Sequence, residues 1–200
     1  MKTPEYEKLR EHIFKRLSVE LDPRLYYHGV HHTRDYVLPA AEYLARAEGV
    51  NGEPLLLLLT GVVLHDFGYI KQYENNEIIA ASIANELLLD FAYSPEQIAV
   101  VKNIIMATAL PQTANNILEK IMCDADLYHL GSKDFFILSD DLWRELIAFG
   151  APLSKKQWHE VSISFVEQHT YFTQTAQNEQ NDGKKHNLQV LREQTDALLD

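Results

Sequence analysis

The feature that most constrains this chain is a nearly continuous apolar run, Leu55 to Leu64, in which only Thr60 and Gly61 interrupt the large aliphatic side chains. A helix of this composition is hydrophobic on all sides, so other elements have to surround it. The run is also well short of the ~20 residues that a membrane span needs. It therefore predicts a buried central helix in a globular protein, with no membrane as partner.

The other apolar residues mostly follow helical spacing. Ile98, Val101 and Ile105 lie at i, i+3 and i+7, and the same spacing recurs over residues 158–165 and 188–195. This is the one-face pattern of amphipathic helices. The sequence has no segments in which apolar and polar residues alternate between hairpin-forming dipeptides, as β-strands would show. We therefore predict an all-α fold of eight to ten helices.

Several helix boundaries are also indicated by the sequence. Ser94 and Ser154 are each followed three residues later by glutamine, which is the pattern of a capping box. Asp124 is in a position to cap a helix running to Gly131. The polar stretch 178–186, which contains Gly183, predicts an interruption before the last helix.

Length and composition fit one globular domain over residues 1–200, since 46% of the residues are hydrophobic and 24% charged. The only cysteine, Cys123, cannot form an intramolecular disulfide. The opening residues 1–5 lack the apolar segment of a signal peptide, so we expect a cytoplasmic protein. Residues 51–150 carry five basic and fourteen acidic residues, and no basic run suits a phosphate backbone, so we expect no nucleic-acid partner.

Histidines and aspartates occur together at three places. His28, His31 and His32 lie within five positions, His65 and Asp66 follow the apolar run directly, and Asp126 comes much later. Any one of these groups can arise by chance. However, an aspartate at the inner end of a core helix is unusual unless it is paired or binds a metal.

As an ordered set, these residues resemble the motifs of the HD-domain metal-dependent phosphohydrolases. The resemblance rests on Tyr27-His28-Gly29-Val30-His31-His32-Thr33, on the doublet His65-Asp66, and on Asp124-Ala125-Asp126-Leu127. It implies an HD-type helical bundle with a metal-binding core over about 27–131 and additional C-terminal helices over about 132–200. It also implies four metal ligands, namely His32, His65, Asp66 and Asp126.

The resemblance implies one divalent ion rather than two. Binuclear members have further histidines between the doublet and the last aspartate, whereas this chain has none between Asp66 and His129; it has Asn76-Glu77 and Thr108 at the corresponding places. Two imidazoles and two carboxylates suit Mn²⁺, Fe²⁺, Co²⁺, Ni²⁺ or Zn²⁺.

The function implied is hydrolysis of a small phosphorylated compound, possibly a nucleotide, by metal-activated water. Asp66 or Glu77 would accept the proton of that water. His28, Arg34 and Lys185 are candidates for binding the phosphate; the alternatives are a solvated or capping histidine at 28, an exposed arginine at 34 and a solvated basic loop around 185. Two alternatives stay open: a metal-binding or ligand-sensing module without turnover, and a helical interaction protein with fortuitous histidines. The oligomeric state is left open.

Overall fold

The apolar run forms the helix at the centre of the structure. In the computed structural model, which describes residues 4–197, this helix is α3 (Gly52–Leu64), and Leu58, Val62 and Leu64 on it are inaccessible to solvent. Four helices pack around it, namely α1 (Tyr6–Glu20), α2 (Leu38–Ala47), α5 (Pro95–Met106) and α6 (Ile117–Asp126). The prediction of a buried central helix is confirmed.

The fold is all-α, as predicted. Residues 4–197 contain nine α-helices and no β-strand, with a π-helical turn at His32–Val37 and 3-10 turns at Phe67–Ile70 and Tyr128–Gly131. The helices are α1 (Tyr6–Glu20), α2 (Leu38–Ala47), α3 (Gly52–Leu64), α4 (Asn76–Asp90), α5 (Pro95–Met106), α6 (Ile117–Asp126), α7 (Phe135–Ala148), α8 (Lys155–Gln168) and α9 (Gln174–Asp196).

Within the described residues, the helical segment Gly52–Ile70 is long and apolar enough to qualify as a membrane span, with a mean hydropathy of 1.3. However, 67% of that window is buried inside the fold. Such burial is the pattern of a core helix in a globular domain, because its apolar faces are already covered by protein.

Two hydrophobic clusters organise the packing. The larger one joins side chains from α1 to α6 around α3, and the smaller one is centred on Leu130, Phe135, Val166 and Leu191. Helix α9 connects them, since it contacts α2 as well as α8 and the turn at Tyr128–Gly131. The assignment of residues 1–200 to a single domain stays a prediction. Residues 1–3 and 198–200 lie outside the described residues, and residues 1–3 include part of the segment that the sequence analysis compared with a signal peptide.

Both predicted capping boxes are present. The Ser94 hydroxyl accepts from the Gln97 backbone N–H, and the Gln97 side chain accepts from the Ser94 backbone N–H at 2.8 Å. Ser154 and Gln157 make the same reciprocal pair. Two otherwise unpaired backbone donors are thereby satisfied at each helix start.

The predicted interruption at 178–186 is wrong, because α9 runs through it without a break. Gly183 is a point of close approach rather than a helix breaker. A Cβ built on it would lie 2.0 Å from the Gly131 carbonyl oxygen, and one built on Gly131 would lie 2.4 Å from the Gln180 carbonyl oxygen. The two glycines therefore allow α9 to lie directly against the turn that follows α6.

The role predicted for Asp124 is also corrected. Helix α6 begins earlier, after the N-cap Asn116, so Asp124 lies inside it and is fully buried. Its carboxylate accepts from the backbone N–H groups of Phe172 and Thr173, both at 2.7 Å, and from the Thr173 hydroxyl. Asp124 thus secures the start of α9 rather than the start of its own helix.

Gly183→Ala tests the packing of α9. Replacing glycine by alanine in a helix interior normally stabilises the fold by about 1 kcal/mol. Here the added methyl group would collide with the backbone of Gly131, so we expect the free energy of unfolding to fall by about 1–3 kcal/mol. Urea denaturation measures it. The control Asn178→Ala lies on an exposed part of α9 and should be neutral or slightly stabilising. A more stable Gly183→Ala protein would contradict this packing.

Candidate metal centre

Three elements bring the four predicted ligands together. His32 begins the π-helical turn, His65 and Asp66 follow the last residue of α3, and Asp126 is the last residue of α6. All four side chains are buried or largely buried. Isolated π-helical turns inside α-helices are frequent at functional sites, and this one places the first histidine beside the ends of two core helices.

Residues His65 and Asp66 face the same point because the helix ends between them. His65 keeps helical dihedral angles, whereas Asp66 leaves the helix with φ −98° and ψ 6°. In a continuous helix the two side chains would diverge by roughly 100°. At this helix end the two side chains instead meet, with His65 Nε2 3.0 Å from Asp66 Oδ2, and Gly68 then allows the chain to pass against Asn76, whose carbonyl oxygen lies 2.0 Å from where a Cβ would be.

The ligand atoms converge on a small volume. His32 Nε2 lies 3.1 Å from Asp126 Oδ1 and 3.6 Å from Asp66 Oδ2, and His65 Nε2 lies 3.0 Å from Asp66 Oδ2 and 3.6 Å from Asp126 Oδ1. Atoms bound at ~2.1 Å to one ion are about 3.0 Å apart at a right angle and about 3.6 Å apart at 120°. The separations therefore fit a shared ion.

Hydrogen bonding supports the same interpretation. His65 Nδ1 lies 2.8 Å from the Val62 carbonyl, which keeps a proton on Nδ1 and directs Nε2 into the cluster as the nitrogen that a metal would bind. Within the described residues, His65 Nε2 and Asp66 Oδ2 are buried and, although they lie 3.0 Å apart, neither makes a hydrogen bond of acceptable geometry. Buried polar atoms are rarely left this way, so the group formed by His32, His65 and Asp66 has the features of a metal site.

Neighbouring residues hold the other two ligands. Gln112 donates from Nε2 to Asp126 Oδ2 at 3.3 Å, which leaves Oδ1 directed at the histidines. The Tyr27 ring lies 4.6 Å from the His32 ring, centroid to centroid, and its hydroxyl reaches His129 Nε2 at 3.5 Å. Burial lowers the pKa of His129 to about 4, so this ring stays neutral beside the cluster.

Sequence reasoning missed one residue that the site depends on. Glu145 of α7 is completely buried, and its carboxylate accepts from the backbone N–H groups of Tyr27 and His28 at 2.9 and 3.0 Å. It also pairs with His28 Nδ1 at 2.5 Å and accepts from the Tyr73 hydroxyl at 3.2 Å. No local motif marks Glu145; only its place on the inner face of α7 does.

The contact with Glu145 sets the state of His28. Burial alone would lower the pKa of His28, but the hydrogen bond to Glu145 and the charges of Asp66 and Asp126 raise it above its ordinary value. Since Nδ1 is held by Glu145, Nε2 is the ring nitrogen left for a ligand. The ring lies against Tyr69, with centroids 4.5 Å apart.

The cluster opens into a cavity of about 370 Å³. His28, His65, Asp66, Asp126 and Glu77 line its polar end, together with Asn76, Thr108 and His129. In the described part of the chain, no lysine or arginine contributes to its lining. The cavity has the size of a small-molecule site, and its charged groups near the cluster are the three acidic residues and the histidines.

The predictions for Arg34 and Lys185 have to be corrected. Arg34 is exposed and pairs with Asp35, its neighbour in sequence, while Lys185 is exposed on α9 and lies 3.5 Å from Asp182. Neither lines the cavity. The prediction for Arg34 rested on its nearness in sequence to His32, and the prediction for Lys185 rested on a C-terminal segment folding back over the site; neither determines the side of a helix on which a residue lies.

The protein is thus an all-α protein with a buried histidine–aspartate cluster at the end of its central helix. No protein-family model matches the sequence, and a search of curated proteins finds no match. The structure is similar to the crystal structure of a predicted HD superfamily hydrolase from an uncultured Thermotogales bacterium, with a TM-score of 0.62 and 18% identity over 95% of this chain and 91% of the other. The chain has the HD-domain fold.

Metal uptake should depend on pH. In the metal-free protein, burial would lower the pKa of His65, but Asp66 and Asp126 hold it well above its ordinary value. The protonated histidine then stabilises the metal-free fold fully below about pH 6.5, and this contribution is lost as pH rises through the raised pKa. Since metal must displace this proton, we expect the rise in melting temperature with Mn²⁺ or Zn²⁺ to be larger at pH 8 than at pH 6.

Metal at one hundred times its Kd raises the free energy of unfolding by about 2.7 kcal/mol, and a thermal melt detects a change of this size. His65→Ala should lose the effect, whereas His186→Ala, an exposed histidine on α9, should keep it. An equal metal effect in wild type and His65→Ala would contradict the assignment.

Glu145→Ala should destabilise the fold by about 3–5 kcal/mol, because it leaves two buried backbone donors and the His28 side chain without their acceptor. Chemical denaturation measures the loss. The control Glu160→Ala removes an exposed carboxylate on α8 and should change stability by less than about 0.5 kcal/mol. Similar values for the two variants would mean that Glu145 does not hold the 27–28 segment.

Proposed function

We propose that this protein is a metal-dependent phosphohydrolase that acts on a small phosphorylated compound, with nucleotides among the classes to be tested. The observation that carries the proposal is the convergence of His32, His65, Asp66 and Asp126, of which the last three also line a cavity. The similarity to a predicted HD superfamily hydrolase supports the fold context of such a site.

The donor set indicates which chemistry is available. A single divalent ion held by these four residues would polarise a phosphoryl oxygen and acidify a water molecule. Its charge would also compensate for the three acidic residues, Asp66, Glu77 and Asp126, that line the same cavity. Without that compensation, a phosphate dianion would be repelled by these three carboxylates.

The residues of the chain would supply proton transfer and positioning. Asp66 has one oxygen in the cluster, and Asn76 Nδ2 contacts the other at 3.4 Å, so Asp66 can take the proton of the attacking water while it stays oriented. Glu77 also lines the cavity and is the second candidate base. His28, held by Glu145 through Nδ1, would donate from Nε2 to a phosphoryl oxygen or to the leaving group.

The proposal is tested by metal analysis followed by turnover. We expect about one equivalent of Mn, Fe, Co, Ni or Zn in the purified protein, lost in His65→Ala and in Asp126→Ala. The metal-loaded protein should release phosphate from at least one member of a panel of phosphate esters, and both variants should lower kcat/KM by at least 10²-fold, as loss of a catalytic ion does.

His186→Ala serves as the control for removal of a histidine and should leave both the metal content and turnover unchanged. A metal-loaded protein that hydrolyses no ester in the panel would contradict the hydrolase function and favour the metal-binding or ligand-sensing module. Failure to bind any of the five metals would contradict both and favour a helical interaction protein.

A further inference from the structure

The cavity at the metal centre has two chemically different ends. Beyond the histidines and acids it extends between α7 and α8, where one face of each helix lines it. From α7 the apolar lining residues are Phe135, Leu138, Leu142 and Leu146, spaced by three or four residues. Such a stripe normally packs against another helix, but here it borders open space that is continuous with the cluster.

Helix α8 provides the opposite wall. Trp158, Val161 and Phe165 line the cavity from this helix, and Leu110 closes the side next to α5. Leu110 and Val161 are 67% and 51% exposed, so the apolar end reaches the protein surface. A ligand with its polar group at the cluster would therefore lie along an apolar channel that leads outward.

The polar groups in this half of the cavity are mostly occupied. Trp158 Nε1 donates to the Ser139 hydroxyl at 3.0 Å, so both of these side chains are paired with each other. Among residues 4–197, the Ser162 hydroxyl lines the cavity, is buried and has no hydrogen-bond partner. A nucleobase has several donors and acceptors that require partners when buried, and this wall offers few.

The charge of the cavity also favours a ligand with a single phosphate group. One divalent ion already faces three carboxylates in this cavity, so each phosphate group beyond the first adds negative charge that needs a further cation, and in the described residues no lysine or arginine lines the cavity. The site thus favours a ligand with one phosphate at the polar end and a body that needs little hydrogen bonding.

We propose that the substrate is a phosphate monoester of an apolar alcohol, whose phosphate lies at the cluster and whose hydrocarbon body lies between α7 and α8, with room for one polar group at Ser162. This inference rests on the proposed function and narrows its substrate. In the reaction, water attacks phosphorus, the bond from phosphorus to the alcohol oxygen breaks, and that oxygen takes up a proton, so the products are inorganic phosphate and the free alcohol.

The test is a chain-length series with the metal-loaded protein. The substrates are butyl, hexyl and octyl phosphate, with p-nitrophenyl phosphate and adenosine monophosphate as references. Because the leaving alcohols of the alkyl series have nearly equal acidity, a change in kcat/KM along it reports binding of the body. We expect kcat/KM to rise about three- to fourfold per methylene until the apolar end is filled.

Two variants of α7 form a matched pair. Leu142→Gln places an amide on the cavity wall and should reduce the increase of kcat/KM with alkyl chain length. Ile137→Gln makes a comparable change at a residue that is 63% exposed and outside the cavity lining, so its chain-length dependence should equal that of wild type. A flattened dependence in both variants, or in neither, would overturn the placement of the hydrocarbon body.

Binding of butyl- and hexylphosphonate, which cannot be hydrolysed, provides a readout that is independent of turnover. Calorimetry should give tighter binding and a more negative heat-capacity change for the longer chain. The proposal of an apolar substrate would be overturned by a kcat/KM that does not change with alkyl chain length, or by a higher kcat/KM for adenosine monophosphate than for hexyl phosphate. Either result would leave the hydrolase function standing. Phosphonate binding without turnover of any ester, including p-nitrophenyl phosphate, would overturn the hydrolase function and with it the substrate.

Discussion

The rest of the site depends on the burial of charged groups at the end of an apolar helix. Asp66 follows α3, the most hydrophobic element of the chain, and is almost completely buried. A carboxylate in that environment is costly unless positive charge compensates for it. His32, His65 and Asp126 converge on the same point, so one ion or the protons that replace it can neutralise the cluster.

The C-terminal helices complete this arrangement rather than merely extend it. Glu145 on α7 holds the segment that carries Tyr27 and His28, and Asp124 on α6 holds the first residues of α9. Each of these buried carboxylates is satisfied by residues distant in sequence. The same helices form the apolar half of the cavity, so the part of the chain with the weakest motifs lines the region that would select the substrate.

Much of the fold could be predicted because its determinants are local. The periodicity of apolar residues indicated α5, α8 and α9, and the reciprocal Ser–Gln pairs marked the starts of α5 and α8. Errors occurred where a local rule was outweighed by packing. Gly183 normally indicates a break, but the contact with Gly131 makes glycine necessary inside a continuous helix.

For the candidate site, the sequence by itself determined the residue types, because imidazole and carboxylate groups are suitable ligands for a divalent transition metal and an ordered motif makes them recognisable. Only the tertiary structure decided which atoms meet: the end of α3 between His65 and Asp66, the contact of His65 Nδ1 with the Val62 carbonyl, and the pairing of His28 with Glu145. It also placed Arg34 and Lys185 outside the cavity. The physical reason is that ligation and charge pairing depend on distances of about 3–4 Å, and the groups that meet here are as much as 94 residues apart for His32 and Asp126 and 117 residues apart for His28 and Glu145.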